Sequence, residues 1–441
     1  MPNGDSVVIG GTDRLPLWQQ RPFRMLCYTR FTSRLAQNAL NFALVLLIVD
    51  ETGKALFSSL LVLALVVPAT VAGIVAGTAA DALPKRPLIL AGDLLRAGVC
   101  VMFILGSGSV ASYYVVAAAL ATATQFATSA EGAALPAIVS RNELARANAI
   151  GHAVGGSAQL LGLGVLTPLL LRLVGSPEVL FGVCAGLFVL AAFQALLIGS
   201  TRTELRREIG GGVAGRWWLT GWRQIRSDPA VMHAAVELTL ISTALIILSG
   251  LIPKFIEDVL GLPVDVGAVI LMPAALGVVL GLRIAGFLAH RVPHSLLSTS
   301  GFGAFVVLLA LLCFVNQEAE FLSGYAVLSW LGEVSIGNFD GGGVLAMALM
   351  LPLGFSFAVV SVAGQTVIND RVPLHLQGRV GATQAAMAAI VSSVPVLAAG
   401  LLSDLIGVTI VMALVAALIG SAAVGNIREP RWLHGHGSGA A

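Results

Sequence analysis

The chain has 441 residues, of which 57% are hydrophobic and only 11% are charged, and its formal net charge is +2. This composition excludes a soluble globular protein, because no segment carries enough polar surface to enclose a core of its own. The near-neutral charge gives no reason to expect nucleic acid as a partner.

Twelve apolar stretches follow one another along the chain. Each has about twenty residues, the length that a helix needs to cross about 30 Å of hydrocarbon. Lipid offers the backbone no hydrogen-bond partners, so we expect these stretches to be helical. The predicted spans are 24–49, 56–80, 87–106, 110–134, 148–171, 178–199, 231–256, 264–289, 295–315, 342–367, 380–401 and 405–426. The sequence therefore predicts an all-α polytopic protein in a lipid bilayer.

The segment 316–341 is apolar in part but is not assigned as a span. Its apolar run is interrupted by Gly324, Gly332 and Glu333. We predict an interfacial or re-entrant segment here, with an additional span as the alternative.

Lysine and arginine lie almost entirely on alternate loops. Eighteen of the 25 basic residues fall on the side that holds both termini and the central loop, while only Lys54, Arg172 and Lys254 fall on the other side. Cytoplasmic loops collect positive charge. We therefore expect a multi-pass protein of the cell (inner or plasma) membrane with both termini in the cytoplasm.

The basic central loop divides the chain into two halves of six spans. Its tryptophans, Trp217, Trp218 and Trp222, are mixed with arginines, which is typical of a helix lying at the membrane surface. A partner-binding role for this helix is the alternative. The predicted organisation is a cytoplasmic N-terminal segment (1–23), a six-helix bundle (24–199), a cytoplasmic linker (200–230), a second six-helix bundle (231–426) and a cytoplasmic tail (427–441).

The loops after the second and eighth spans resemble each other. Gly77 is followed at four residues by Asp81 and at seven by Pro84, and Gly286 is followed in the same way by His290 and Pro293. Two halves with a matching loop are typical of a transporter that arose by duplication.

The first of these loops resembles the signature of the major facilitator superfamily, Gly-x-x-x-Asp-Arg-x-Gly-Arg-Lys. The chain keeps Gly77, Asp81, Lys85 and Arg86 and departs from the pattern at Ala82 and Pro84. The resemblance implies twelve transmembrane helices in two pseudo-symmetric six-helix bundles. It also implies that this motif, together with Asp93 and Arg96, forms a cytoplasmic gate; a static Asp93–Arg96 pair is the alternative.

Three further stretches are similar to the twelve-span efflux group typified by macrolide and siderophore exporters. They begin at Pro22, Asp93 and Asn142. The similarity implies a secondary active transporter that exports an amphiphilic small molecule in exchange for protons, without a cofactor and as a monomer. Composition and spacing do not indicate direction, so an uptake permease or a lysolipid flippase on the same fold is the alternative.

The first span carries a polar stripe. At 100° per residue, five polar side chains fall within an arc of about 100°. An arginine in mid-membrane costs about 2.5–3.5 kcal/mol, so such a stripe needs an aqueous or acidic surface to face. Alternatively, the arginines reach the membrane surface or pair with neighbouring spans. Leu44 and Leu46 continue the span as lipid-compatible helix. The stripe consists of Arg30, Arg34, Gln37, Asn38 and Asn41, and we predict that the last four line a substrate cavity with Gln125, Gln159 and Gln365.

Acidic residues inside the spans are candidates for proton coupling. Glu237 lies about two turns inside the seventh span, and Arg283 lies at similar depth in the eighth. Burial favours the uncharged form of a carboxylic acid, which suits a proton carrier. A structural Glu237–Arg283 pair is the alternative. Glu131, near the inner end of the fourth span, is expected at the surface, and a functional role is the alternative.

A membrane-embedded enzyme is the remaining alternative. Catalysis would need clustered metal ligands or a nucleophile with a base in reach. The embedded His, Cys and acidic residues are scattered, and no phosphate-binding Gly-x-x-x-x-Gly-Lys-Ser/Thr loop is present. We therefore expect no enzymatic activity, no metal and no cofactor.

Overall fold

A computed structural model provides the structure of the protein. It describes residues 16–106, 109–140, 143–167, 169–170, 176–198, 217–263, 267–288, 291–318 and 341–427. Most of the predicted interfacial or re-entrant segment 316–341 lies outside the described residues, as do most of the tail and the first part of the linker.

The described residues form twelve long helices, and each covers most or all of a predicted span. Nine of the described helices are long and apolar enough to cross a membrane, and three shorter apolar helices accompany them. The twelve-helix prediction is confirmed. The helices are α1 (Arg21–Thr52), α2 (Ala55–Ala82), α3 (Lys85–Leu105), α4 (Val110–Ile138), α5 (Leu144–Leu161, continued by a π-helical turn Gly162–Leu166), α6 (Pro177–Leu196), α7 (Pro229–Asp258), α8 (Gly267–Leu288), α9 (His294–Cys313), α10 (Gly341–Arg371), α11 (Leu374–Ile406) and α12 (Val408–Ile427).

A thirteenth helix, Trp217–Ser227, lies between the two halves in sequence and is called the linker helix. It packs against α7 and α11. A Cβ at Gly221 would lie 2.7 Å from the carbonyl oxygen of Arg379, so the linker helix touches α11 backbone to backbone. Ile225 is fully buried in this contact region. The linker helix is therefore attached to the second half of the molecule.

The two halves, α1–α6 and α7–α12, repeat one packing scheme. In the first half α2 packs on α4, and α3 packs on α4 and α6; in the second half α8 packs on α10, and α9 packs on α10 and α12. The register repeats as well. Gly92, the eighth residue of α3, lies against Ala127 of α4, and Gly301, the eighth residue of α9, lies against Val360 of α10. This repetition confirms the pseudo-symmetric pair of bundles.

Glycines allow the closest helix contacts. A Cβ at Gly277 of α8 would lie 1.9 Å from the carbonyl oxygen of Leu351, and one at Gly281 would lie 2.7 Å from Cβ of Ala358. No residue larger than glycine fits where backbones approach in this way. The small-residue spacing in α8 therefore serves packing against α10.

Helix α1 lies inside the first half rather than at its lipid surface. Leu44 is 0% exposed and Leu46 is 7% exposed, so these apolar residues pack inside the protein. The reason is that α1 packs against α2, α4, α5 and α6. The core around it includes Phe103 and Phe181, whose rings stack at 3.8 Å.

The two halves meet at the end of the bundle where α1 ends and α2 begins, which we call the far end; the opposite end is the linker end. The α1–α2 turn contains Gly53, whose φ of 61° favours glycine. Ser59 of α2 lies against both Gly250 and Gly400 of the second half. At the linker end, a Cβ at Gly77 would meet no atom within 4 Å.

Candidate functional site

The first half contains a buried ion pair between neighbouring turns of α3. Asp93 and Arg96 are 0% and 1% exposed, and Arg96 Nη2 donates to Asp93 Oδ1. Residues three positions apart share a helix face, which brings the two side chains together. Ser33 of α1 donates to Asp93 Oδ1 at 3.0 Å, and the Arg96 guanidinium lies 4.6 Å from the ring centre of Phe188 in α6. The pair thus ties α3 to α1 and α6.

A second ion pair joins α1 to α4. Arg30 Nε donates to Glu131 Oε2 at 3.2 Å. Glu131 is 1% exposed, so the expectation that it lies at the surface was wrong. The charge of Arg30 compensates its burial. Arg30 therefore pairs with a neighbouring span, one of the two alternatives left open for it.

Gly151 of α5 makes room for this second pair. A Cβ at position 151 would lie 2.4 Å from Arg30 Nη1. The Arg30 guanidinium therefore lies against Gly151 of α5 while it binds Glu131 of α4. The two ion pairs also act on each other, since Glu131 contributes to the electrostatic surroundings of both Asp93 and Arg96.

The polar stripe of α1 contains both partly exposed and buried residues. Between positions 34 and 45, the partly exposed residues are Arg34, Leu35, Asn38, Asn41 and Val45. All of these except Leu35 follow one another at intervals of four, three and four residues, so they share one face. This face keeps part of its surface accessible, although Asn38 also lies beside Gly162 at the start of the π-helical turn that continues α5. We call Arg34, Asn38, Asn41 and Val45 the free face of α1.

Gln37 lies beside the free face but is not part of it. It is 5% exposed, accepts a hydrogen bond from Thr124 of α4 at 2.7 Å and donates one to Asn41 at 2.8 Å. Asn38 in turn donates to the carbonyl oxygen of Arg34 at 2.7 Å. Gln37 is therefore a buried residue that links Asn41 to Thr124 of α4 and does not line an open surface.

Arg34 differs from the other two arginines near it. Arg30 and Arg96 each contact a carboxylate, whereas Arg34 has none within 4 Å among the described residues. Arg34 acts electrostatically on Arg96. The free face of α1 therefore carries a positive charge that no acidic side chain neutralises in the described part of the chain.

No described contact joins the three predicted cavity glutamines to one another. Gln125 of α4 faces α2, with its Oε1 3.6 Å from the position of a Cβ on Gly73. Gln159 and Gln365 are exposed on α5 and α10. In the described structure, no hydrogen bond joins any of the three side chains to the free face of α1.

Glu237 and Arg283 do not form the pair that was the alternative for them. Glu237 Oε2 accepts a hydrogen bond from Ser298 of α9 at 2.6 Å. Arg283 is exposed on α8, and α7 and α8 barely touch because α8 packs on α10 instead. The pairing hypothesis was therefore wrong, and Glu237 has no Lys or Arg partner in the described part of the protein.

One serine–carboxylate hydrogen bond thus joins the first and third helices of each half. In the first half, Ser33 on α1 donates to Asp93 on α3. In the second half, Ser298 on α9 donates to Glu237 on α7. The two sites differ in charge, because Asp93 also binds Arg96, whereas Glu237 has no Lys or Arg partner among the described residues and has His233 of its own helix in its electrostatic surroundings.

The predicted gate motif is described in part. Lys85 Nζ donates to the carbonyl oxygen of Leu83 at 3.3 Å, and Arg86 is partly exposed. The side chain of Asp81 lies outside the described part. Asp93 and Arg96 contact α1 and α6, so within the described contacts they do not reach Arg86.

Several members of these networks have no distinguishing signal in the sequence. Ser33, Thr124 and Ser298 carry short hydroxyls that are common in membrane helices, and nothing in their spacing distinguishes them. Among the described residues, no group of three or more His, Cys, Asp or Glu side chains is arranged to hold a metal ion.

Comparison with known proteins gives a family and a fold. A sequence model of the Major Facilitator Superfamily matches residues 26–394. A variant of the nucleoside transporter NupG has a similar structure, with a TM-score of 0.73 at 12% identity over 92% of this chain and 99% of that one. A bacterial homolog of the human lysosomal transporter Spinster, in an inward-facing and unoccupied conformation, has a TM-score of 0.66 at 14% identity over 92% and 97%. A search of curated protein sequences gave no match.

Proposed function

The chain belongs to the major facilitator superfamily and is a transporter rather than an enzyme, and we propose that it exports an amphiphilic small molecule in exchange for protons by alternating access. Similarity to the macrolide and siderophore efflux group supports export. We further propose that it acts as a monomer in the cell membrane, with the linker end in the cytoplasm.

The free face of α1 is the observation that carries this proposal. A helix that packs on its other sides against α2, α4, α5 and α6 keeps one partly exposed side, and that side bears Arg34, Asn38 and Asn41. Polar groups inside a membrane are costly unless they face water or a polar ligand. A substrate with polar groups on an apolar body would meet both the amides and Val45 on this face.

Glu237 is the carboxylate best suited to carry the proton. Asp93 and Glu131 each form an ion pair with an arginine, so each already has a cationic partner within the protein. Glu237 contacts the Ser298 hydroxyl instead. A hydroxyl can donate to a carboxylate and can also accept from a carboxylic acid, so this contact can persist in both protonation states. A carrier needs both states.

The test uses purified protein in liposomes that contain a pH-sensitive dye. Candidate substrates are lipophilic cations, macrolides, siderophores and lysolipids. We expect at least one of them to collapse an imposed pH gradient in the wild type. Glu237→Gln should abolish this response but keep exchange of substrate at equal pH. Glu257→Gln, a change at an exposed glutamate of the same helix, is the matched control.

Two results would contradict the proposal. If Glu237→Gln responds to the pH gradient like the wild type, Glu237 is not the carrier. If substrate moves together with protons rather than against them, the protein is an uptake system and the export proposal is wrong.

A further inference from the structure

At the far end of the molecule, a carboxylate of the second half binds the backbone of the first half. Asp404, near the end of α11, accepts a hydrogen bond from the backbone N–H of Ala55 at 2.8 Å and another from that of Leu56 at 3.0 Å. Both donors belong to the first turn of α2, whose N–H groups have no partner within the helix. One side chain of the second half therefore caps a helix of the first half.

The electrostatics of this contact are favourable. The N-terminus of a helix carries a partial positive charge, and a carboxylate placed there gains from both hydrogen bonds and the helix dipole. In the residues described for α2, no side chain of its own caps this end. The first half thus relies on Asp404, 349 positions away in sequence, to satisfy the start of α2.

A second contact from the other half reaches the same turn. Lys254 of α7 donates through Nζ to the carbonyl oxygen of Gly53 at 3.2 Å and lies 3.6 Å from Asp258. An acidic and a basic side chain of the second half therefore bind the α1–α2 turn, the first at its N–H groups and the second at its carbonyl.

Next to these polar contacts, α2 packs closely against α7 and α11. Cβ atoms at Gly250 of α7 and Gly400 of α11 would lie 2.8 Å and 2.5 Å from the Ser59 hydroxyl of α2. Ser59 is 0% exposed. A water path from the far end along α2 would require the start of α2 to separate from α7 and α11, and hence from Asp404.

We propose that Asp404 is a latch of the far-end gate, whose two hydrogen bonds to the start of α2 must break each time the transporter opens at that end. The inference rests on the alternating-access part of the proposed function, and it is independent of substrate, direction and coupling ion. Asp404 is a positioning residue, because it acts on the gate and not on the substrate.

The experiment measures how accessible the packed interface becomes when the latch is weakened. Ser59→Cys is introduced, the protein is placed in nanodiscs, and the rate of reaction with a water-soluble maleimide is compared with that of the parent chain, whose described cysteines are all buried. Asp404→Asn is then added. We expect labelling to become about tenfold faster, since weakening charge-assisted hydrogen bonds shifts a two-state equilibrium by about that factor.

Asp50→Asn is the matched control, because Asp50 is an exposed carboxylate at the same end of the molecule. It should leave the labelling rate unchanged, and Asp404→Glu should stay closer to the wild type than Asp404→Asn. Equal rates in Asp404→Asn and the wild type would overturn the latch.

A second variant tests the proposal if Asp404→Asn does not fold. Lys254→Gln weakens the other contact to the same turn and should also accelerate labelling of Ser59→Cys; no acceleration in that variant would count against the latch. Failure of proton-driven export in liposomes would not change these rates, because labelling needs neither substrate nor a gradient.

Discussion

Arg30 on α1 and Glu131 on α4 are 101 positions apart in sequence, yet Arg30 Nε donates to Glu131 Oε2 at 3.2 Å inside the first half. Arg30 lies one turn before Arg34 on the same side of α1. The ion pair therefore occupies the linker-end part of the polar stripe, and the free face begins one turn further along the helix. A structural ion pair and the proposed substrate face are thus consecutive parts of one stripe.

Breaking this pair from one side should destabilise the protein. Glu131→Gln leaves the guanidinium of Arg30 largely buried without a counter-charge, which costs about 3 kcal/mol. We expect a clear fall in the apparent melting temperature, measured in detergent, relative to the exposed-site control Glu257→Gln. The double variant Arg30→Gln/Glu131→Gln should recover much of the loss. Equal melting temperatures for Glu131→Gln and its control would contradict the structural role of the pair.

Gly151 should tolerate a methyl group less well than the neighbouring glycine one turn later. Gly151→Ala places a Cβ on the path of the Arg30 guanidinium, whereas a Cβ at Gly155 meets nothing within 4 Å. Alanine is the better helix former by about 0.5–1 kcal/mol. We therefore expect Gly155→Ala to be neutral or stabilising and Gly151→Ala to lower the apparent melting temperature. A Gly151→Ala protein as stable as Gly155→Ala would show that Arg30 adjusts freely.

The free face of α1 should be accessible to water from the space that it borders. Single cysteines at Arg34, Asn38 and Asn41 should react with a small water-soluble thiol reagent. Cysteines at Phe42 and Leu46, which are 8% and 7% exposed, should react slowly or not at all. Uniform reaction around the helix would mean that α1 is not packed as described, and no reaction at any position would remove the cavity assignment.

Arg34 should favour substrates that carry a negative charge. Its guanidinium has no acidic partner in the described structure, and a fixed charge in a poorly screened site acts strongly on a ligand. Arg34→Gln should therefore reduce transport of anionic or zwitterionic compounds by about tenfold, the effect of about 1.4 kcal/mol, and affect cationic compounds less. Arg34→Lys should retain part of the preference. The measurement is competition by a matched series of anionic and cationic compounds, and an equal loss for both classes would argue against a charge effect.

The charge bias between loops makes a topological prediction. Reporters fused at Ser200 and at the C-terminus should be cytoplasmic, and one near Glu320 should be external. The comparison of an alkaline phosphatase fusion with a fluorescent protein fusion at each site provides the measurement. A cytoplasmic reporter at Glu320 would be incompatible with the twelve-span topology.

The local pattern of the sequence was sufficient to predict the helices and to predict which polar residues of α1 share a face. Apolar length predicts a span because lipid leaves the backbone no partner other than itself, and α1 to α12 follow the twelve predicted stretches. Arg34, Asn38 and Asn41 share a face because the α-helix has a fixed pitch, which requires no knowledge of other helices.

The partners of the embedded residues were decided only by the tertiary structure. Sequence depth suggested Arg283 for Glu237, but the packing of α8 on α10 leaves Ser298 as its partner. Glu131 was expected at the surface and is buried against Arg30, and Gln37 faces Thr124. Hydropathy reports how deep a residue lies in the membrane, but the rotation and the neighbours of each helix depend on side-chain packing between segments far apart in the chain. That is why the sequence determines the spans, while the contacts of Glu237, Glu131 and Asp404 follow only from the assembled bundle.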